Sequence, residues 1–228
     1  MKAVLVVGVV VLVAFLSFRG CVSGWKTGWN QRLTLVIETP QGEVRGSAVT
    51  EVEVAYFAGG QSLTGREVSY GLTGEAAMVE VVPGRYLFAL IDGNEELYAR
   101  AAKDRFKGMT RGQWLSLIPG QTEPVALRDD LIPMLVTFDD VSNPETVRVV
   151  DPDDLAGVFG VGVRLKTVTL EITDEAVTAG RVEGVLGWLI DLWPNQLDGE
   201  NSRTIYTDNR FANSLSTGDF STEVRSDK

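Results

Sequence analysis

A chain of 228 residues, 44% of them hydrophobic, is long enough for one domain with a sizeable core plus an N-terminal segment. Its 21 Lys and Arg against 31 Asp and Glu leave a formal charge of -10, which argues against nucleic acid as a partner, because phosphate binding needs the opposite excess. The absence of histidine removes Ser-His-Asp and Cys-His catalysis, His-ligated zinc and a side chain that titrates near neutrality, and the single cysteine, Cys21, excludes an internal disulfide.

The first predicted element is an apolar leader. From Ala3 to Phe18 the sequence reads AVLVVGVVVLVAFLSF, uncharged, with Lys2 before it and Arg19 after it. As a helix this run spans about 24 Å against roughly 30 Å of bilayer hydrocarbon, and a snorkelling Arg19 lets Gly20 to Val22 extend it. Lys2 on one side and Arg19, Lys26 and Arg32 on the other leave the orientation open on charge alone. The short basic start, apolar middle and small residues afterwards match a secretory signal, which places the rest of the chain outside the cytoplasmic membrane, with Val22-Ser23-Gly24 as a small-residue cleavage site before Trp25. Gly20-Cys21 resembles a bacterial lipoprotein signal and makes Cys21 the candidate lipidation site, although Phe18 and Arg19 suit that signal poorly.

A linker rich in Gly and Trp is expected over Gly24 to Asn30, followed by strands. RLTLVIET (Arg32 to Thr39) puts Leu33, Leu35 and Ile37 on one face, and Pro40-Gln41-Gly42 forms a turn. EVRGSAVTEVEVAYF (Glu43 to Phe57) alternates throughout, with Val44, Gly46, Ala48, Thr50, Val52, Val54 and Tyr56 sharing a face, as one long strand or as two joined at Gly46. After the turn-like AGGQSLTG comes REVSYGL (Arg66 to Leu72). EAAMVEVV and RYLFALI then flank Pro83-Gly84 as a hairpin whose second strand is buried on both faces.

The pattern then changes. NEELYARAAKDRFKG (Asn94 to Gly108) reads as a short helix with Leu97, Tyr98, Ala101 and Phe106 inward, and Ser116 to Pro133 as a connection punctuated by proline. PMLVTF (Pro133 to Phe138) is a strand. Asp151 suits an N-cap, Pro152 the first helical position and Gly160 the end of a short helix, after which Val161 to Thr173 returns as a strand. Val182, Val185, Leu186, Leu189, Ile190 and Trp193 make a helical stripe stopped by Pro194. The chain thus divides into a leader over 1–24, an antiparallel β-rich part over 25–125, an α+β part of the same domain over 126–194, and a polar tail over 195–228 that is expected to be mobile beyond Phe211. The expected class is a β-rich α+β fold: an N-terminal apolar helix, then a mostly antiparallel sheet domain with a few short helices.

Candidate functional groups are few. Asp139-Asp140, Asp151-Asp153-Asp154 and Asp198-Glu200 offer hard oxygen ligands for calcium or paired carboxylates for glycoside hydrolysis, though none has EF-hand spacing and Asp151 to Asp154 is also what a helix N-terminus attracts. Gly157, Gly160 and Gly162 precede a strand instead of following one, which reads as helix termination and not as a dinucleotide loop. Arg100, Lys103, Arg105, Lys107 and Arg111, interrupted only by Asp104 and set among Tyr98, Phe106 and Trp114, form a basic stretch that either meets anionic headgroups or lines a solvated helix face. Trp25 and Trp29 fit the membrane interface or the first layer of core. Ser47 and Ser69 lie in strand patterns without a lysine placed to activate them.

WNQRLT (Trp29 to Thr34), ETPQGEVRGSAV (Glu38 to Val49), PGRYLFAL (Pro83 to Leu90), VDPDDLAGVFGVGVRL (Val150 to Leu165) and EITDEAV (Glu171 to Val177) together resemble an uncharacterised group of proteobacterial envelope proteins. The resemblance implies a bacterial source and an exported, membrane-associated domain, with no particular activity. The resulting expectation is a membrane-tethered or exported envelope protein with a periplasmic domain. It acts as a binding or structural module toward an envelope protein or polymer, without a cofactor or catalysis. The contrasting expectation is a carboxylate-dependent hydrolase of a cell-envelope polymer, with two acidic side chains converging in a cleft.

Overall fold

The computed structural model describes residues 24–57 and 67–223. The leader, Cys21 and the turn-like segment before Arg66 lie outside the described residues. Two strands of 16 residues, β1 (Gly24–Thr39) and β2 (Gly42–Phe57), pair antiparallel along their whole length, from Gly24 opposite Phe57 to Thr39 opposite Gly42. Only Pro40 and Gln41 separate them; the Thr39 hydroxyl donates to the Gly42 carbonyl at 2.8 Å, and Gly42 takes a φ of 126° that side chains resist.

The strand reading of Glu43 to Phe57 holds as one continuous element. Gly46 is not a break but a crossing point: a Cβ there would lie 1.9 Å from the Met78 carbonyl oxygen of the strand packed across it. The expected linker over Gly24 to Asn30 is instead the first half of β1. Each of its residues faces a partner on β2, Gly28 lies where a Cβ would come within 2.9 Å of the Val52 carbonyl, and Trp29 enters the core at 5% exposure.

Five further strands follow the predicted runs, β3 (Val68–Thr73), β4 (Ala77–Val82), β5 (Arg85–Ala89), β7 (Leu135–Phe138) and β9 (Arg164–Thr173); β6 (Val125–Leu127) hides in the proline-punctuated connection, and β8 (Val147–Val149) falls where no strand is expected. All pairings are antiparallel, in a five-stranded sheet ordered β3-β2-β1-β9-β6 and a four-stranded sheet ordered β4-β5-β7-β8. Because β6 and β9 join the first sheet while β7 and β8 join the second, a boundary at 125/126 separates nothing; both sheets draw on both sides of it.

Both faces of the smaller sheet carry core, and its exposed positions are on the edge strands, at Glu80 of β4 and Val149 of β8. Leu87 and Ala89 of β5 enter a core shared with Leu33, Leu35 and Ile37 of β1 and Val168 and Leu170 of β9, whereas Phe88 enters a second cluster with Val136, Phe138, Leu186, Leu189 and Phe220. The two-sided burial expected of Tyr86 to Ile91 is therefore present from Leu87 onward.

Short helices cover the margins. The helix expected over Asn94 to Gly108 is split into α1 (Leu97–Ala101) and a 3-10 turn (Lys103–Phe106), with Ala102 and not Ala101 buried beside Leu97, Tyr98 and Phe106. α2 (Arg111–Leu117) opens on a capping box in which Thr110 and Gln113 exchange side-chain and backbone bonds. In α3 (Ala156–Phe159) the cap is Asp154, which accepts from the Gly157 N–H at 2.9 Å. Asp151 closes a local turn by accepting from Asp153, and Gly160 (φ 111°) ends the helix. The stripe from Val182 to Trp193 is broken at Leu186 to Trp188 into α4 (Arg181–Val185) and α5 (Leu189–Leu192), leaving Val182, Leu186 and Leu189 buried and Ile190 40% exposed.

The tail predicted from Asn195 carries core. Leu197, Leu215 and Phe220 are buried, α6 (Arg210–Ser214) is capped by Asn209, and residues 219–222 bond to Gly74, Ala76 and Ile91. Its polar composition concealed this because the apolar residues are widely spaced and the hydroxyls and amides bond locally. The expected fold class stands in its coarse form, β-rich α+β with antiparallel sheets.

Two substitutions test this packing. Gly46→Ala places a methyl group into the Met78 carbonyl and is expected to destabilise at or above the upper end of the about 1–3 kcal/mol of an overpacked core. Phe220→Ala empties a fully buried ring site, at a cost of about 3–5 kcal/mol, and lowers the thermal midpoint by roughly 6–20 °C. Calorimetry on the purified variants reads both, and a midpoint unchanged in Phe220→Ala contradicts the placement of this residue in the second cluster.

Candidate functional site

A concavity lies around α1, the 3-10 turn and α2. It is a cleft of about 440 Å³ with Phe106, Met109, Trp114 and Leu131 as its apolar lining and Arg100 and Lys103 at its rim. Phe106 and Trp114 stack at a tilt, 6.1 Å between centroids. A second cleft of about 420 Å³ shares Glu96 and Arg100 and continues toward Tyr70 on β3.

All five predicted basic residues are exposed and gather in this region, yet the run that looks cationic in sequence is largely compensated in space. Arg111 pairs with Glu96, Arg100 with Asp130 at 3.5 Å and Arg105 with Glu123 at 3.3 Å. Among the described residues Lys103 and Lys107 have no carboxylate partner, so two of the five charges remain uncompensated. Exposed pairs of this kind contribute about 0.2–1 kcal/mol each and are screened by salt. Arg111 also donates to the Tyr70 hydroxyl at 3.3 Å and lies 5.9 Å from the centre of its ring. Burial, helped by hydrogen bonding with Glu96, pushes the Tyr70 phenol up to about 12.

This region adjoins the first described residues. Trp25 pairs with Tyr56 across β1 and β2, their ring centroids 5.4 Å apart, and Gly112 of α2 sits so close to the Tyr56 ring that a Cβ would lie 3.3 Å from it. Of the two tryptophans proposed for a membrane interface, Trp29 is core and donates its indole N–H to Gln31 at 3.2 Å, while Trp25 is half-buried at this end of the domain.

The acidic candidates are not brought together. Asp139 pairs with Arg148 at 2.8 Å, and the Ser142 hydroxyl and backbone N–H hold Asp140 below the usual carboxylate range. Asp153 is exposed. Burial pushes Asp198 up, but bonds from Asn213 at 3.1 Å and Thr207 at 2.8 Å outweigh it and leave the group lowered. Among the described residues no three acidic or cysteine side chains are grouped to hold a metal ion. Ser69 lines the second cleft, and Ser47 lies on the outer face of β2.

The sequence does not single out two buried carboxylates, Asp219, which accepts from the Ser216 backbone N–H at 2.6 Å, and Glu75. Glu75, between β3 and β4, is 1% exposed and accepts from the backbone N–H groups of Arg181 at 3.0 Å and Val182 at 3.1 Å, tying the start of α4 to the sheets. Burial raises its pKa, and the two N–H bonds offset this only in part. No protein-family model, curated protein or solved structure matches the chain.

Since folded Glu75 holds its proton to higher pH than the unfolded chain does, its contribution to stability is complete below the ordinary value of 4.5 and is lost as pH rises through the raised one. Glu75→Gln keeps an acceptor oxygen without the charge. It is expected to remove this decline and to be at least as stable as the parent near neutrality, whereas Glu75→Ala orphans two N–H groups and costs about 1–3 kcal/mol. Denaturant titrations across that pH window compare the three, and a steeper decline in Glu75→Gln than in the parent contradicts the assignment.

Proposed function

We propose that this chain is a membrane-tethered protein of the bacterial envelope. In this reading the apolar run from Ala3 to Phe18 is the anchor, and the sheet domain works on the periplasmic side as a binding or structural module for an envelope protein or polymer. The observation that carries the reading is the position of Gly24. Only Arg19 to Ser23 separate it from the apolar run, a reach of about 20 Å for extended chain. Gly24 begins β1 at the end where Trp25, Tyr56, Arg111 and the cleft beside α2 lie together.

A domain on so short a lead holds this end against the headgroups. Arg100, Lys103, Arg105, Lys107 and Arg111 are the proposed contacts, with Lys103 and Lys107 supplying most of the attraction because the three arginines already have carboxylate partners. Partly exposed Trp25 and exposed Met109 suit the interfacial layer. The β1–β2 turn at Pro40-Gln41, 16 residues along each strand, lies about 50 Å from Gly24 and leaves the far end free for a partner.

Fractionation of cells expressing the full chain tests the reading. The protein is expected in the membrane fraction after a high-salt wash, and a variant lacking residues 2–23 in the soluble fraction. Recovery of the full-length chain as a soluble cytoplasmic protein overturns it. Intact mass then separates the retained anchor, seen as an unmodified chain, from a lipid tether, seen as an acylated start at Cys21; a start at Trp25 leaves no tether and overturns the membrane-tethered reading.

A further inference from the structure

The face of the larger sheet turned away from both hydrophobic clusters carries a groove of about 420 Å³ that the proposed function does not use. Alternation decides what stands there. Leu33 and Leu35, Ala48, and Val168 and Leu170 point inward, so Thr34, Ser47 and Thr169 point outward. The register sets these three side by side, with Thr34 opposite Ser47 on β2 and opposite Thr169 on β9. Their hydroxyls, all half-buried, make no hydrogen bond to any of the described residues.

Guanidinium groups surround this row. Arg32 and Arg45 bracket it along the strands, and Arg181 closes it from the start of α4; Glu171 is the one carboxylate in the lining. Arg32 is held by Glu171 at 2.6 Å and by Glu175, and Arg45, well exposed, reaches Glu43 at 3.3 Å. Arg181 differs from both. Its backbone N–H is fixed by buried Glu75 and its Nη1 donates to the Ser47 carbonyl at 2.9 Å, so the residue is anchored at its backbone and at its guanidinium. Among the described residues it has no salt bridge.

The lining holds three guanidinium groups and one carboxylate, and with Glu175 and Glu43 outside it pairing Arg32 and Arg45, Arg181 is the guanidinium left without a carboxylate partner among the described residues. Guanidinium forks match the geometry of phosphate and carboxylate oxygens, hydroxyl groups donate to the same oxygens, and a fixed cation loses little freedom on binding. We propose that this groove binds an oxyanion, the phosphate or carboxylate group of a ligand from outside the chain, with Arg181 and Arg45 as its principal cations and Thr34, Ser47 and Thr169 as its donors. The inference does not depend on how the chain is held at a membrane.

Titration calorimetry on the full-length protein in uncharged detergent, with inorganic phosphate and with glucuronate at constant ionic strength, tests it. Saturable binding of at least one anion is expected, weakened about tenfold or more by Arg181→Gln and by Arg45→Gln. Glu171→Gln, which removes the opposing charge, is expected to tighten it. Arg45→Gln alters only an exposed side chain, so it remains informative if Arg181→Gln fails to fold. Binding of phosphate alone identifies a phosphate-bearing ligand, binding of glucuronate alone a carboxylate-bearing one, and binding of both a general oxyanion site. Absence of binding by either anion, or binding that both arginine variants leave unchanged, overturns the proposal.

Discussion

Alternate residues of β5 point into different cores. Leu87 and Ala89 pack toward the larger sheet, and Phe88, one step out of phase, packs against Phe138 and Phe220 in edge-to-face contacts at 5.8 and 5.9 Å. A strand buried on both sides cannot be stabilised by one neighbour, so its cover comes from two sides of the fold. On the first side β1, β2 and β9 approach so closely that Gly46 must lack a side chain where β4 crosses. On the second side no further strand is at hand, and the cover consists of short helices and turns whose contribution is a few apolar side chains each: Val182, Leu186, Leu189, Leu197, Leu215 and Phe220. Apolar burial of this kind stabilises by roughly 1.5–3 kcal/mol per large side chain, far above what the single hydrogen-bonded turns of those segments contribute on their own.

Period-two alternation made β2 legible from end to end, and Pro40-Gln41 and Pro83-Gly84 marked the β1–β2 and β4–β5 hairpins. What stayed hidden has physical causes. The first half of β1 reads as linker because Gly28 and the two tryptophans interrupt alternation, yet it is held by pairing with β2, which no local window contains. β6 is only Val125–Leu127 between prolines and is a strand solely because β9 lies beside it. The stripe after Arg181 has the spacing of one helix, but its burial pattern is met by two short pieces with a turn between them. The short-range signals of a cap were correct in kind and misplaced by three residues, from Asp151 to Asp154.

Charge followed the same rule. The basic stretch from Arg100 to Arg111 is evident in the sequence, but its compensation by Glu96, Glu123 and Asp130 is not, because two of those carboxylates lie beyond the stretch and the third just before it. The arginine groove shows the converse. Arg45 and Ser47 can be assigned to the polar face of β2 by counting, whereas the row they form with Thr34 and Thr169 exists only through the register of three strands. In both places the local composition fixes which groups are available, and the pairing across the fold decides which of them remain uncompensated.

Residues 219–222 are bonded to the chain around Gly74, Ala76 and Ile91, and Phe220 sits at the centre of the second core. A polypeptide is made from its N-terminus, so the β1–β2 hairpin can form early, but the two-sided sheet lacks its last covering ring until residue 220 has left the ribosome. Through most of synthesis the nascent chain therefore holds β5 and β7 with one face open to water. Until that ring arrives the open apolar face is free to associate off the folding pathway, which ties the yield of folded protein to the last covering segment.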